Sequence, residues 1–207
     1  MSSIHLVYLY LLSPLHTGGT TQEGNLLGIA RESHTNLPYI PSSTIRGRLR
    51  ASASADKNGN GKSDRFFLFG NEIADGEQLE QGAIWIGDGS ILWLPVPSLS
   101  HGVVWVSCPL LLSRWLRFTG NPQNLAVPDP YSTSLSINAS VYLKDAILPA
   151  TSLIQWTDWD EFTSDHPESE GIKNLLVLPD QHCATLIQMS LWRQVKIKLD
   201  EHKTVDG

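Results

Sequence analysis

Three arginines, Arg46, Arg48 and Arg50, crowd into one short stretch directly after Pro38-Tyr39-Ile40-Pro41 and the hydroxyl run Ser42-Ser43-Thr44. Guanidinium groups present forked donors that match phosphate oxygens. A helix that begins at a hydroxyl residue offers unpaired backbone N–H groups to the same kind of anion. Gly47 lies among the arginines and costs a helix interior about 1 kcal/mol relative to alanine. Two readings of it stand: close packing of the helix on a sheet, or bare backbone against which a phosphodiester chain can lie. Upstream, Leu15-His16-Thr17-Gly18-Gly19 is a glycine-containing loop after an apolar run, where backbone can approach a bulky anion. The chemistry implied is the gripping of a phosphodiester backbone, with His16, Gly18, Gly19, Arg31, Ser43, Thr44, Arg46, Gly47, Arg48 and Arg50 as candidate residues for that contact.

A second candidate is Asp56 to Asp64, DKNGNGKSD. Its oxygen ligands Asp56, Asn58 and Asn60, its turn residue Gly61, and Asp64 in the ninth position follow a calcium-binding loop. The twelfth position, where a bidentate glutamate belongs, is Phe67. The same segment also reads as a polar connector, since Asn-Gly is a common turn pair. Its Gly61-Lys62-Ser63 end is not a phosphate-binding P-loop, because Asp56 stands where that motif needs its first glycine. No Ser-His-Asp arrangement, zinc-type cluster or dinucleotide fingerprint is legible. His5, His34, His101, His166, His182 and His202 are scattered without ligand spacing.

The elements that must position these residues follow from apolar patterning. Ile4 to Leu12 is rich in branched and aromatic side chains and predicts a buried first strand. It has neither the basic leader nor the cleavage site of a signal peptide, and no run reaches the length of a membrane span. Leu26 to Glu32 predicts a strand returning toward the core, and the prolines at 38 and 41 predict an extended Asn36–Pro41. A short helix is expected from Thr44 to about Ser54, capped by Ser43. Gly82 to Trp93 alternates apolar residues. Trp85, Trp93 and Trp105 sit in such strand-like runs and are expected in the core, whereas Trp156 and Trp159 lie in a polar, acidic stretch and are expected nearer solvent. Residues 120–170 carry Pro122, Pro128, Pro130, Pro149 and Pro167 and read as an irregular excursion. Leu175 to Leu178 predicts a buried strand, Asp180 to Ser190 a helix, and Val195 to Leu199 a half-exposed strand.

A chain of 207 residues with 41% hydrophobic content and seven tryptophans can fold as one domain with a sizeable core. Cys108 and Cys183 form no close-spaced pair, so a reducing cytoplasm is the expected setting. The net charge of −6 argues against a general nucleic-acid binder. Residues 1–66 hold seven Lys/Arg against four Asp/Glu, and residues 67–207 hold eight against seventeen. Phosphate binding is therefore expected to be local to the first third.

These motifs resemble the RAMP superfamily of CRISPR proteins, most closely the repeated backbone subunit of type III-B (Cmr-type) effector complexes. The family's L-H-x-G-G-like loop is met at Leu15–Gly19. Its P-Y-I-P-G-S-S-[LI]-[KR]-G-x-[LM]-R segment is met at Pro38–Arg50, with Ser42 in place of a glycine. Phe66–Gly70, Asp88, Leu94–Leu99 and the strand ending Ser107-Cys108-Pro109 follow in family order, with Pro97 replacing an arginine. The resemblance implies an α+β fold with a ferredoxin-like, RRM-like core and a single domain over residues 1–207. It also implies a variable loop near 55–66 and a thumb-like excursion near 120–170, where Tyr142 and Ser134–Ser140 are candidates to cross a guide–target duplex. Family members continue past the position of Gly207, so the chain reads as natively short, truncated, or one half of a split subunit.

Function follows in the same terms. The resemblance implies a subunit of an antiviral ribonucleoprotein, holding guide RNA and complementary target RNA and contacting other effector subunits or copies of itself in a filament. RNA binding needs no cofactor. Active relatives cut target RNA with a divalent metal and an aspartate in the pattern Asp-x-Pro-Ile-x-Arg-Glu. Aligning Arg31-Glu32 with the end of that pattern puts Leu26 at the aspartate and Gly28 at the proline. Leucine can neither ligate a metal nor move a proton. Glu23 and His16 remain as candidate catalytic groups for a metal-dependent endoribonuclease. A reading of another class is a calcium-stabilised protein-interaction module, which would leave the arginine segment without a role.

Overall fold

The computed structural model describes residues 4–23, 26–53, 63–70, 81–120, 125–163 and 167–192. Its centre is the β-branched run at Val103–Val106. Gly102, at φ +70°, makes the tight turn that lets β5 (Leu94–Ser98) fold back antiparallel on β6 (Gly102–Ser107), pairing Val96 with Val104 and Leu94 with Val106. Pro95 and Pro97 are tolerated because β5 is an edge strand, where a missing N–H removes no ladder bond. On its other side β6 pairs in parallel with β11 (Leu175–Val177), and β11 pairs antiparallel with β7 (Ser132–Thr133). β10 (Ile154–Gln155) completes the order β10-β7-β11-β6-β5.

The two central parallel strands each run into a helix at the same end of the sheet. β6 leads through Cys108 into α3 (Pro109–Thr119), which has proline in its first turn, where no N–H partner is needed, and ends on Gly120 at φ +76°. β11 leads into α4 (Asp180–Ser190). Leu111, Leu112 and Leu116 of α3 and Cys183, Leu186 and Ile187 of α4 are buried against the sheet. Leu176 joins Val96, Val104 and Val106 in one apolar cluster, while Val177 joins Leu112, Leu116 and Phe162 in another. A parallel central pair with antiparallel flanks, each central strand followed by a helix, is the ferredoxin-like pattern. The fold is α+β, as expected.

Several expectations change. Ile4–Leu12 is not a buried strand: it forms no ladder among the described residues, and Ile4 is 94% and Leu12 80% exposed. The outer edge of β5 is unsuited to a further strand, because β5 carries two prolines and the Pro97 carbonyl already accepts the Lys144 N–H. The segment instead touches the body through the Trp115 Nε1 donating to Tyr8 and the Tyr10–Trp105 ring contact. The stretch Gly82–Trp93 contributes only the two-residue β4 (Gly89–Ser90), and Trp85 stands 89% exposed. Trp93, by contrast, is half-buried and donates its Nε1 to the Phe162 carbonyl. Trp156 and Trp159 are half-buried, and Trp156 packs edge-on to Phe162.

Residues 120–170 have irregular connections but are not wholly an excursion, since β7 and β10 belong to the main sheet. Between them the hairpin β8 (Val141–Tyr142) and β9 (Ile147–Leu148) meets β5 through the Ser98–Leu143 bridge and the Leu99 N–H to the Tyr142 carbonyl. The expected strand at Val195–Leu199 lies outside the described residues. Among the described residues no helix is long and apolar enough to cross a membrane.

One close approach tests the packing in the first half. Gly82 sits against the last turn of α2 (Asp64–Phe69), and an added Cβ would lie 2.3 Å from the Leu68 carbonyl oxygen. Backbone cannot give way as a side-chain tip can. Gly82→Ala is expected to cost about 1–3 kcal/mol, read as a lower urea midpoint. An unchanged midpoint would refute this packing.

Candidate nucleic-acid interface

The glycine-containing loop folds as a hairpin. β1 (Gly18–Glu23) pairs antiparallel with β2 (Leu26–Ile29) in a register that sets Gly18 opposite Ile29 and Glu23 opposite Leu26. The base is closed by the Ala30 N–H to the Thr17 carbonyl, with Thr17 buried. His16 is exposed just ahead of β1, and a Cβ at Gly18 would meet nothing within 4 Å.

After the hairpin the chain reverses tightly. The Asn36 N–H reaches the Glu32 carbonyl and Asn36 takes φ +57°, a left-handed conformation that asparagine tolerates better than most residues. Arg31 donates from Nη1 to the Asn36 carbonyl at 3.0 Å, so part of its guanidinium holds its own turn. The chain then forms β3 (Tyr39–Ile40), antiparallel to β4, and enters α1 (Ser42–Ser52).

α1 begins earlier than predicted and is not capped by Ser43. Pro41 occupies the cap position, and the Ser42 N–H is taken by the Asp88 Oδ1 at 2.6 Å. Proline has no side-chain acceptor, so a carboxylate from 46 residues away supplies it. The helix buries no side chain fully; Ile45 rests near Gly89 on the β3–β4 pair. Arg46 and Arg50 are one turn apart, and Arg46 donates to the Phe69 carbonyl at the end of α2. A different side of the helix carries Ser43, Thr44, Gly47, Arg48 and Ala51, all exposed. That side offers hydroxyls, bare backbone and one guanidinium without bulky apolar groups. Among the described residues a Cβ at Gly47 would meet nothing within 4 Å, so tight packing against them is not the reason for the glycine.

Sequence reasoning missed the group that holds this region together. Glu32 lies just past the hairpin and binds Arg114 of α3 in a forked pair, 82 residues away, with Arg114 Nη2 donating to Glu32 Oε2 at 3.0 Å. Arg114 also donates to Ser90 of β4, and Thr35 donates to Glu32 Oε2 at 2.6 Å. The pair joins hairpin base, β4 and α3. Burial would push the Glu32 carboxyl up, but the bonds from Arg114 and Thr35 and the charges of Arg114 and His34 hold it below the usual glutamate value. Its signal in the sequence was the Arg31-Glu32 dipeptide, which marks register without naming a partner.

Of the calcium-loop residues, Asp56, Asn58 and Asn60 lie outside the described residues, and Asp64 sits in the first turn of α2. Among the described residues no group of three acidic, histidine or cysteine side chains could hold a metal. Glu23 and Leu26 are placed here by backbone register alone.

The sequence model of the RAMP superfamily matches residues 8–207. The chain belongs to the RAMP superfamily. Among curated proteins, the CRISPR system Cmr endoribonuclease Cmr4 of Pyrococcus furiosus is 36% identical over 115 residues, a stretch taking in 55% of this RAMP chain and 38% of that relative. Among solved structures, oligomeric Cmr4 from Pyrococcus furiosus aligns at TM-score 0.62 with 22% identity, covering 87% of this chain and 71% of that one. A Cmr4 crystal structure aligns at 0.60 with 25% identity, covering 86% and 70%. A chain of the Type III-B Cmr-beta complex bound to cognate target RNA aligns at 0.63 with 20% identity, covering 93% and 72%. The fold of this RAMP chain is thus shared with subunits of Cmr complexes.

The ionic pair gives a pH-dependent expectation. Glu32→Gln keeps the shape, removes the charge and leaves Arg114 uncompensated, at a cost of about 1–3 kcal/mol near neutral pH. Because the folded carboxyl is lowered, this contribution is fully present above the unfolded value of about 4.3 and is lost as pH falls through the folded value. The stability gap between native and variant chains should therefore close on acidification. A gap of constant size from about pH 7 to about pH 3 would exclude an ionic origin.

Proposed function

We propose that this chain is a backbone subunit of a type III CRISPR ribonucleoprotein effector, which grips guide RNA and positions complementary target RNA for antiviral defence. The observation that carries the reading is the exposed side of α1, where Gly47 faces open space between Ser43, Thr44 and Arg48. A glycine in mid-helix lowers stability, and nothing packed against it among the described residues asks for it. A backbone that must admit an outside ligand does ask for it, and hydroxyls with a guanidinium alongside suit a phosphodiester. The relationship to Cmr4, and the likeness to a subunit of a complex bound to target RNA, support the same reading. Association with other effector subunits and with copies of itself follows from that kinship.

Stability and binding should move in opposite directions at this glycine. Gly47→Ala is expected to stabilise the chain by about 1 kcal/mol while weakening its binding of guide-length RNA. Arg48→Ala should weaken binding similarly for every guide sequence and lower the salt slope by about 1. A Gly47→Ala chain that melts higher and binds RNA as well as the native chain would take this face out of the interface.

A second reading, cleavage of target RNA, is favoured by the register of the hairpin. Glu23 lies directly opposite Leu26, and cross-strand partners have Cβ atoms roughly 4.5–5.5 Å apart. A carboxylate at Glu23 therefore starts one strand spacing from the position at which relatives carry aspartate, and it could bring a hard oxygen to a divalent ion. Under the leading reading, an assembled complex holds target RNA with magnesium or manganese and does not cut it at this subunit. If cutting is seen, Glu23→Gln should abolish it with RNA binding intact, and retained cutting would clear Glu23.

A further inference from the structure

The RNA-binding reading leaves unused two buried thiols that the topology brings together. β6 and β11 are parallel neighbours, with Val177 paired to Ser107 and the Leu178 N–H donating to the Ser107 carbonyl at 2.9 Å. Both strands turn into helices at this end. Cys108 is the cap residue of α3, and Cys183 lies in the first turn of α4. Asp180, the first residue of α4, accepts the Leu110 N–H at 3.0 Å and fastens the two helix starts to each other. Cys108 and Cys183 are 1% and 0% exposed in the same apolar cluster, close enough for each thiol to shift the acidity of the other.

We propose that Cys108 and Cys183 form a redox modification site, a dithiol that a small peroxide converts to a disulfide tying the start of α3 to the first turn of α4. The two sulfurs have distinct roles. The hydrogen bond from Cys183 and the Leu111 N–H hold the Cys108 thiol below its usual value despite burial, whereas the bond to Cys108 together with burial pushes Cys183 up. Cys108, which also occupies the cap position of α3 where unpaired helix N–H groups favour a thiolate, is therefore the nucleophile.

Its thiolate attacks one peroxide oxygen: an S–O bond forms, the O–O bond breaks, and the departing hydroxide takes up the proton that Cys108 released. Cys183 then attacks the sulfenic sulfur of Cys108. The S–S bond forms, the S–O bond breaks, and the hydroxyl leaves as water with the Cys183 proton. Two thiols and one peroxide give one disulfide and two waters. Peroxide is close to water in size, so a brief opening at the helix starts admits it. Because α3 also carries Arg114, the closed staple would stiffen the support of the hairpin base.

The test compares folded chain with chain in urea, each treated with hydrogen peroxide, quenched, alkylated and mapped by non-reducing peptide mass spectrometry. The proposal expects a peptide linked through Cys108 and Cys183 that forms faster in the folded chain, raises the melting temperature, and is reversed by dithiothreitol. Cys183→Ser should leave a dimedone-reactive sulfenic acid on Cys108, and Cys108→Ser should leave Cys183 unmodified. Linkage that forms only in urea, sulfinic acid on Cys108 without linkage, or two thiols that both remain alkylatable would each overturn it. Should either serine variant fail to fold, the linkage rates in the native sequence decide alone. None of these readouts depends on RNA binding.

Discussion

Parallel pairing of Leu175–Val177 with Trp105–Ser107 is the contact on which the rest of the molecule depends. A parallel pair cannot be joined by a tight turn, so the chain must travel from residue 107 to residue 175 before it can form. The intervening segment is absorbed by α3, by β7 and β10, and by the β8–β9 hairpin against β5. The pairing also brings both helix starts to one end of the sheet, where Asp180 joins them. The three residues of β11 are buried, and Leu176 and Val177 feed different apolar clusters, so a slip of one position would exchange their partners.

From that frame a second chain of contacts reaches the proposed nucleic-acid face. The packing of α3 fixes Arg114, Arg114 holds Glu32 and Ser90, and these set the base of the hairpin and the β3–β4 pair on which α1 rests. The face is therefore supported from behind by charge and from below by apolar contact. Locality matters because the chain carries a net charge of −6. A diffuse field would repel RNA, so attraction must come from a few groups close to the backbone they hold. Even there the helix start is already neutralised by Asp88, which shifts the burden from the N-terminal N–H groups to the exposed side of α1.

Much of this could be read from residue types in order. The arginine-and-glycine helix, the strand at 175–177 and the helix at 180–190 follow from local pattern and turn chemistry, because each is decided within a few residues, whereas the α+β class came from the family resemblance. The kinship with RAMP proteins was legible for the same reason, since its blocks are short and ordered along the chain. Elements that need a distant partner were misread. Ile4–Leu12 has strand composition but no ladder, and Trp85 has core chemistry but stands in solvent, because apolar character does not say whether an edge or a cavity is available.

The sequence by itself determined which residues carry the charges and donors that could grip phosphate, and that position 26 is a leucine without a carboxylate. Residue type sets charge, donor count and acidity wherever the side chain ends up. Only the tertiary structure decided which of them work together. It assigned the cap of α1 to Asp88 and not Ser43, turned Arg46 toward Phe69, joined Glu32 to Arg114, and set Glu23 opposite Leu26. It also brought Cys108 against Cys183. Apart from the Glu23–Leu26 hairpin pair, these are pairings across long stretches of chain, fixed by sheet order and strand register. Directional contacts of a few ångströms depend on that register, and no local pattern encodes it.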